Sequence, residues 1–112
     1  RATVNSWNGL AFAIRSEQAI REELAALILS VPLAWLIGTT PARRIEMVAV
    51  LLLLLVVELL NTAIEKLADR LTTDHDPQIG RVKDMGSAAV GAALIIAGVV
   101  WLFALAECLG WV

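Results

Sequence analysis

The segment Met47-Val-Ala-Val-Leu-Leu-Leu-Leu-Leu-Val-Val-Glu58-Leu-Leu-Asn61-Thr-Ala-Ile-Glu65-Lys-Leu-Ala-Asp69-Arg70 carries more information than any other part of this chain. An apolar run long enough to enter a bilayer ends in a glutamate, and polar residues then recur at helical spacing. At about 100° per residue, Glu58, Asn61, Glu65 and Asp69 fall within roughly 80° of one another on one helix face. An ionisable side chain at membrane depth costs several kcal/mol, so its presence points to a function. A stripe of three carboxylates and an amide, running from within the bilayer to its surface, suits chemistry that joins a lipid-soluble reactant to a water-soluble one.

Two further spans flank this segment. Met85 to Ala106 holds no charge in 22 residues, enough to cross a hydrocarbon core of about 30 Å. A shorter run, Leu24 to Ile37, is interrupted by Pro32; counting it as a span lets the charges alternate correctly. Ahead of it, Val4, Trp7, Leu10 or Ala11, and Ile14 recur at helical spacing among Asn5, Asn8, Arg15 and Glu17, the pattern of an amphipathic helix lying in the interface. The expected organisation is one all-α membrane domain over residues 1–112: a surface helix over 1–22, span 1 over 24–40, span 2 with a cytoplasmic extension over 45–71, and span 3 over 85–106. Gly38-Thr39-Thr40-Pro41 reads as a tight outer turn and Thr72 to Gly80 as a cytoplasmic loop. A compact soluble bundle is the alternative, disfavoured by the unbroken apolar run.

With three spans, the N-terminal segment and the second loop share one side, holding Arg1, Arg15, Arg21, Lys66, Arg70, Arg81 and Lys83, while only Arg43 and Arg44 lie on the other. This asymmetry places the N-terminus and the end of the polar stripe in the cytoplasm, where ATP and magnesium are available. Nine basic against eleven acidic residues leave no electrostatic footprint for nucleic acid. The lone Cys108 and lone His75 exclude an internal disulfide and a Cys-based zinc site, and leave any histidine-dependent triad to a single loop residue. No phosphate-cradling glycine loop of the G-x-x-x-x-G-K-[ST] or G-x-G-x-x-G type is present. The chain opens on Arg1, so a few preceding residues are expected, and no signal-peptide pattern begins it.

Counted from Met47, Glu58 lies about 17 Å into its span and Glu65 about 10 Å further. Glu58 is thereby a candidate general base, or else a partner for a neighbouring helix. Glu65 and Glu17 are hard oxygen ligands at the interfacial level, and magnesium is typically held by one or two carboxylates plus substrate phosphates; as surface glutamates they also fit plain ion pairs with Lys66 and Arg21. Lys83 can meet phosphate or anionic headgroups. In Met85-Gly86-Ser87-Ala88-Ala89-Val90-Gly91, Gly91 and the alanines suit close helix packing, while Gly86 and Ser87 at the membrane entrance give a lipid head room and a hydroxyl partner. The four tryptophans, Trp7, Trp35, Trp101 and Trp111, read mostly as interface anchors.

Glu58-Leu-Leu-Asn61-Thr62-Ala63-Ile64-Glu65 with Asp69-Arg70, and Lys83-Asp84-Met85-Gly86-Ser87-Ala88-Ala89-Val90, resemble the signature of prokaryotic diacylglycerol kinase, a small integral-membrane lipid kinase family. Ser6-Trp7-x-Gly9-Leu10 and Glu17-x-Ala19-x-Arg21-x-Glu23 resemble its N-terminal helix. The resemblance implies a homotrimer of three-span protomers in the bacterial inner membrane, transferring the ATP γ-phosphate to diacylglycerol. It implies Glu58 as catalytic base and Glu17 and Glu65 as Mg2+ ligands. Nucleotide contacts fall to these two glutamates with Asn61, Lys83, Asp84 and the loop Asp74-His75-Asp76. The lipid falls to Trp7, Ala19, Ile20, Arg21, Glu22, Glu23, Glu58 and Ser87. Asp74-His75-Asp76 and Asn5 depart from the residues usual in the family at positions near the nucleotide. A sister branch phosphorylates undecaprenol, and a small ion- or proton-conducting oligomer is the non-catalytic alternative. The surface helix also reaches a neighbour's second span as easily as its own, so some sites are expected to combine Glu17 of one chain with Glu58 and Glu65 of another.

Overall fold

The computed structural model describes residues 1–71 and 75–112, all of its regular structure helical: α1 (Ala2–Ser16), α2 (Gln18–Ile37), α3 (Pro41–Leu71) and α4 (Pro77–Cys108). The surface helix ends at Ser16 rather than at residue 22. Glu17 adopts extended backbone angles (φ −126°, ψ 119°), which turns the chain while the Glu17 amide still bonds the Ala13 carbonyl at 2.9 Å. Arg21 stabilises this corner by donating from Nη1 to the carbonyls of Ile14 (2.7 Å) and Arg15 (3.2 Å). Those carbonyls sit in the last turn of α1, where a helix lacks its own donors and favours a cation.

Helix α2 runs through Pro32 and stops at the Gly38 turn. A Cβ on Gly38 would lie 2.6 Å from the Arg44 side chain and 2.8 Å from the Ala34 carbonyl, so only glycine lets α2 and α3 close this tightly. Pro41 opens α3, and the Thr40 hydroxyl accepts from the Arg43 amide at 3.1 Å, satisfying one orphan donor at that terminus. Helix α4 starts at Pro77, earlier than the loop expected through Gly80, because Asp76 caps it. The Asp76 carboxylate accepts from the amides of Gln78 (2.9 Å) and Ile79 (3.4 Å).

Helix α3 is central and packs against both α2 and α4. Two apolar clusters form along it, one at its middle and one near its start. One joins Ala13, Ile20 and Leu55, tying α1, α2 and α3 together. The other joins Ala34, Met47 and Ala104, with Trp101 packed against it. Trp101 donates from Nε1 to the Met47 carbonyl at 3.0 Å, so it is an interhelical fastener rather than the interface anchor expected. On α4 the buried residues are Gly86, Ala93, Ala97 and Ala104, a seven–four–seven spacing that keeps a small-residue seam facing its neighbours. Gly91 is not part of that seam: a Cβ there would meet nothing within 4 Å. The packing glycine is Gly86.

Most large apolar side chains face outward, Leu36 at 76% exposure and Ile95 and Leu102 at 69% among them. Helices α3 and α4 are long and apolar enough to cross a membrane. Helix α2 falls short because Arg21, Glu22 and Glu23 occupy its first turns, and its uncharged part begins only at Leu24. At the end of the bundle nearest the α2–α3 turn, Glu107 accepts from Arg43 Nε and from the Thr39 hydroxyl, each at 3.0 Å. These two hydrogen bonds, Arg43 first, hold the Glu107 carboxyl below the usual carboxylate range, and the same contact raises the Arg43 pKa. Arg44 donates to the Gly38 carbonyl at 3.0 Å and stacks over Trp35 at 4.3 Å.

Candidate active site

The polar stripe of α3 leads to the opposite end of the bundle, where three other segments converge on it. The α1–α2 corner brings Glu17, whose Oε2 lies 3.0 Å from Lys66 Nζ. Lys66 also sits over the Phe12 ring at 5.3 Å, which fastens the surface helix to α3. The first turns of α2 bring Glu23, and the start of α4 brings Lys83.

The carboxylates form one electrostatic cluster. Glu58 lies within range of both Glu65 and Glu17, and Glu23 within range of Glu58. Glu58 is half-buried and Glu65 exposed, a gradient from protein interior to water along one helix face. Asn61 stands between them and donates through Nδ2 to Glu65 Oε1 at 3.5 Å, a long bond. Lys83 Nζ donates to Asp69 Oδ1 at 2.6 Å. That hydrogen bond, aided by the negative charge of Glu65, keeps the Lys83 ammonium above the ordinary lysine range. Among the described residues, two buried oxygens here accept no hydrogen bond, Glu23 Oε1 and Asn61 Oδ1. Such groups are rare and call for an explanation.

The chemistry open to this arrangement is proton acceptance, phosphate attraction and binding of a hard cation. No group of three His, Cys, Asp or Glu is close enough to enclose a metal by itself among the described residues. The donors present are carboxylate oxygens, half-buried Glu17 and exposed Glu65 on either side of Glu58. Magnesium fits such a set, since it prefers oxygen and takes part of its coordination from phosphates and water. A slot of about 290 Å³ opens between α1 and α3, lined by Gly9, Phe12, Leu59, Thr62 and Lys66. A groove of about 540 Å³ lies at the far end beside Trp35 and Arg44, away from every carboxylate in the cluster.

The residues expected at the site divide into groups. Glu17, Glu23, Glu58, Asn61, Glu65 and Lys83 come together. Glu17 lies beside Lys66 of α3 in its own chain. Asp84 and Ser87 are exposed near the start of α4, and Trp7 is 70% exposed on α1. Ala19 is half-buried and Glu22 is exposed, accepting from Gln18 at 3.2 Å. Three side chains have structural tasks, two of them while remaining exposed. Ile20 is completely buried, Arg21 caps α1, and Asp76 caps α4. His75 is exposed ahead of that cap; Asp74 lies outside the described residues. Sequence reasoning missed the clasp of Lys66 on Glu17, which depends on where the α1–α2 corner falls. It also missed the Asn61–Gly86 contact, for which the glycine at the start of span 3 was the available signal.

Fold and site together define a chain that is helical throughout its described regular structure, with two helices long and apolar enough to cross a membrane and a carboxylate cluster toward one end of the bundle. Residues 4–105 match the family described as prokaryotic diacylglycerol kinase. The chain is 39% identical over 101 residues to the diacylglycerol kinase of Escherichia coli (strain K12), covering 90% of this chain and 83% of that one. It is 40% identical over 100 residues to the Haemophilus influenzae diacylglycerol kinase, covering 89% and 85%. The Pseudomonas aeruginosa diacylglycerol kinase is 41% identical over 100 residues, covering 89% and 81%. The chain belongs to the prokaryotic diacylglycerol kinase family.

Proposed function

We propose that this protein transfers the γ-phosphate of ATP to the hydroxyl of diacylglycerol, giving phosphatidic acid and ADP at the cytoplasmic surface of the bacterial inner membrane. The observation that carries this reading is the meeting of Glu17, Glu58 and Glu65 with Lys83 at one end of α3 in a member of this family. Phosphoryl transfer asks little covalent chemistry of a protein; positioning and charge neutralisation do most of the work. The lipid hydroxyl enters sideways from the bilayer and its proton passes to the Glu58 carboxylate. The alcohol oxygen forms a bond to the γ-phosphorus as the bond to the ADP oxygen breaks. Glu17 and Glu65 would hold Mg2+, which supplies charge neutralisation on the phosphates. Lys83 adds a fixed positive charge beside Glu65, and Asn61 stands near the phosphates.

In this reading α2 is a third span, with its uncharged part from Leu24 to Ile37 in the hydrocarbon and its charged first turns at the interface. The N-terminus is cytoplasmic. Arg43 and Arg44 then lie on the opposite side, where Glu107 and the Gly38 carbonyl engage them. The protein assembles as a homotrimer, which covers part of the apolar surface that one chain leaves exposed.

The test is ATP turnover by purified protein in detergent, with diacylglycerol, with undecaprenol, and with neither. Diacylglycerol-dependent turnover is expected, falling 100-fold or more in Glu58→Gln, on the order of a lost general base. Near wild-type turnover in Glu58→Gln removes that residue from the mechanism. Preference for undecaprenol would assign the other branch of acceptors, and lipid-independent proton flux without ATP turnover would replace the kinase reading altogether.

A further inference from the structure

Gly86 is buried on the α4 seam directly opposite Asn61 of α3. A Cβ built on Gly86 would clash with Asn61 Oδ1, and its three nearest atoms all belong to the Asn61 side chain. That same Oδ1 is one of the two buried oxygens that accept no hydrogen bond among the described residues. The two facts explain each other. The missing side chain at position 86 leaves a notch, and the amide oxygen fills it.

An amide group has two ends. With its oxygen seated in the notch, the Asn61 nitrogen is turned toward Glu65, one helical turn along α3, to which it donates. The reverse orientation would set the amide oxygen against a carboxylate. We propose that Gly86 is a positioning residue: its bare Cα seats the Asn61 carbonyl in the α3–α4 seam and so aims the Asn61 amide at the Glu65 carboxylate. The proposal deepens the kinase reading and rests on it, since Glu65 matters there as a cation ligand. Outer-shell donors of this kind fix the orientation of ligating carboxylates.

The experiment is a double-mutant cycle on the full-length protein in detergent with Gly86→Ala, Asn61→Ala and the combined variant. Gly91→Ala serves as control, because a Cβ there meets nothing within 4 Å. Two quantities are read: the thermal midpoint, and Mn2+ affinity by electron paramagnetic resonance with a non-hydrolysable ATP analogue bound. Gly86→Ala is expected to lower the midpoint by about 4 °C or more, and to weaken Mn2+ binding roughly tenfold, the scale of a lost outer-shell partner. Asn61→Ala should weaken Mn2+ to the same degree without the clash. In the combined variant the Gly86→Ala penalty on the midpoint should vanish and Mn2+ binding should fall no further. Gly91→Ala should change neither.

If Gly86→Ala alone does not fold, the combined variant decides, because removing the amide frees the space; its failure to fold would show that Gly86 serves the backbone and not Asn61, overturning the proposal. Equal Gly86→Ala penalties with and without Asn61 overturn it as well, as does wild-type Mn2+ affinity in Asn61→Ala. Absence of both Mn2+ binding and lipid-dependent ATP turnover in the wild type is a different result. It refutes the kinase reading, and the stability cycle then still decides the Asn61 seat.

Discussion

Ile20 is the side chain through which packing reaches the site, and its truncation to alanine tests that connection. It has no exposed surface and stands at the junction of α1, α2 and α3, against Ala13 and Leu55. Ile→Ala removes three carbon atoms. At about 0.8 kcal/mol per buried methylene the transfer component alone is about 2.4 kcal/mol, and an unrelaxed cavity takes such substitutions to about 2–5 kcal/mol. Lipid-facing positions lose much of this, since hydrocarbon chains are as apolar as the core. Ile20 does not face lipid; it closes the corner three residues after Glu17. The lower figure therefore applies as a minimum. Because each 1.4 kcal/mol is a factor of ten, opening of the α1–α2 corner should become at least about 30-fold more populated. Hydrogen–deuterium exchange reads this directly, as faster exchange across Ala2–Ser16 with α4 unchanged. The Mg2+ concentration for half-maximal turnover should rise with it, because Glu17 moves with the corner. Leu36→Ala, at a position 76% exposed, is the matched control and should leave exchange unaltered. A change in α1 protection below threefold in Ile20→Ala would refute the argument that this contact holds the corner shut.

Further outcomes follow from the polar contacts at the two ends of the bundle. The hydrogen bonds from Arg43 and Thr39 lower the Glu107 pKa. Their stabilising effect is therefore complete above the unfolded carboxyl value of about 4.3 and is lost as pH falls through the lower folded value. Acid unfolding curves of Glu107→Gln should lack this component, and a wild-type profile in that variant would assign it elsewhere. Lys83 has the opposite sign: Asp69 raises its pKa, so that contribution is present below about 10.4 and disappears as pH rises through the folded value. Asp69→Asn should return the Lys83 titration, followed by nuclear magnetic resonance of labelled lysine, toward the ordinary value. Finally, Glu17 faces its own chain's Lys66 at 3.0 Å, so mixed oligomers refolded from Glu17→Ala and Glu65→Ala chains should stay inactive. Recovered activity after verified subunit mixing would mean that Glu17 reaches across to a neighbour.

The helical class and the placement of the two longest helices were legible in the sequence because one-dimensional signals carry them. An uncharged 22-residue run and a stripe at helical spacing need no knowledge of what lies opposite. The breaks were less legible. Nothing in Arg15-Ser-Glu17-Gln-Ala carries the glycine or proline that usually marks a corner, and the turn at Glu17 depends on Arg21 folding back onto the carbonyls of Ile14 and Arg15. The start of α4 was readable in principle, since Asp76-Pro77 is a cap followed by proline at the first helical position. Treating Asp76 as loop chemistry concealed it. Trp101 shows the limit of residue-type rules: its composition suits an interface, but Met47 offers a carbonyl at 3.0 Å, and an indole donor takes it.

The candidate site was legible for a different reason. Its carboxylates share one face of α3, so the helix repeat alone brings Glu58, Asn61 and Glu65 into line. What a single-helix argument cannot supply is the opposite wall. Glu17 and Glu23 arrive through the α1–α2 corner, and Lys83 and Gly86 through the return of α4, and each contact depends on register between helices. Lys66 illustrates the consequence. On α3 alone it is the neighbour of a candidate ligand, and the natural inference is a solvated pair with Glu65. In the folded chain it reaches Glu17 and lies over Phe12, holding the surface helix down across the slot that opens beside Thr62. An exposed ion pair of this kind contributes little stability by itself. Its position gives it another importance, because the ammonium engages Oε2 of Glu17, a carboxylate on which the proposed magnesium site would draw. Under the proposed magnesium assignment, the cation and Lys66 compete for the charge of Glu17, so Lys66→Ala is expected to lower the Mg2+ concentration for half-maximal turnover, and an unchanged value would refute that competition.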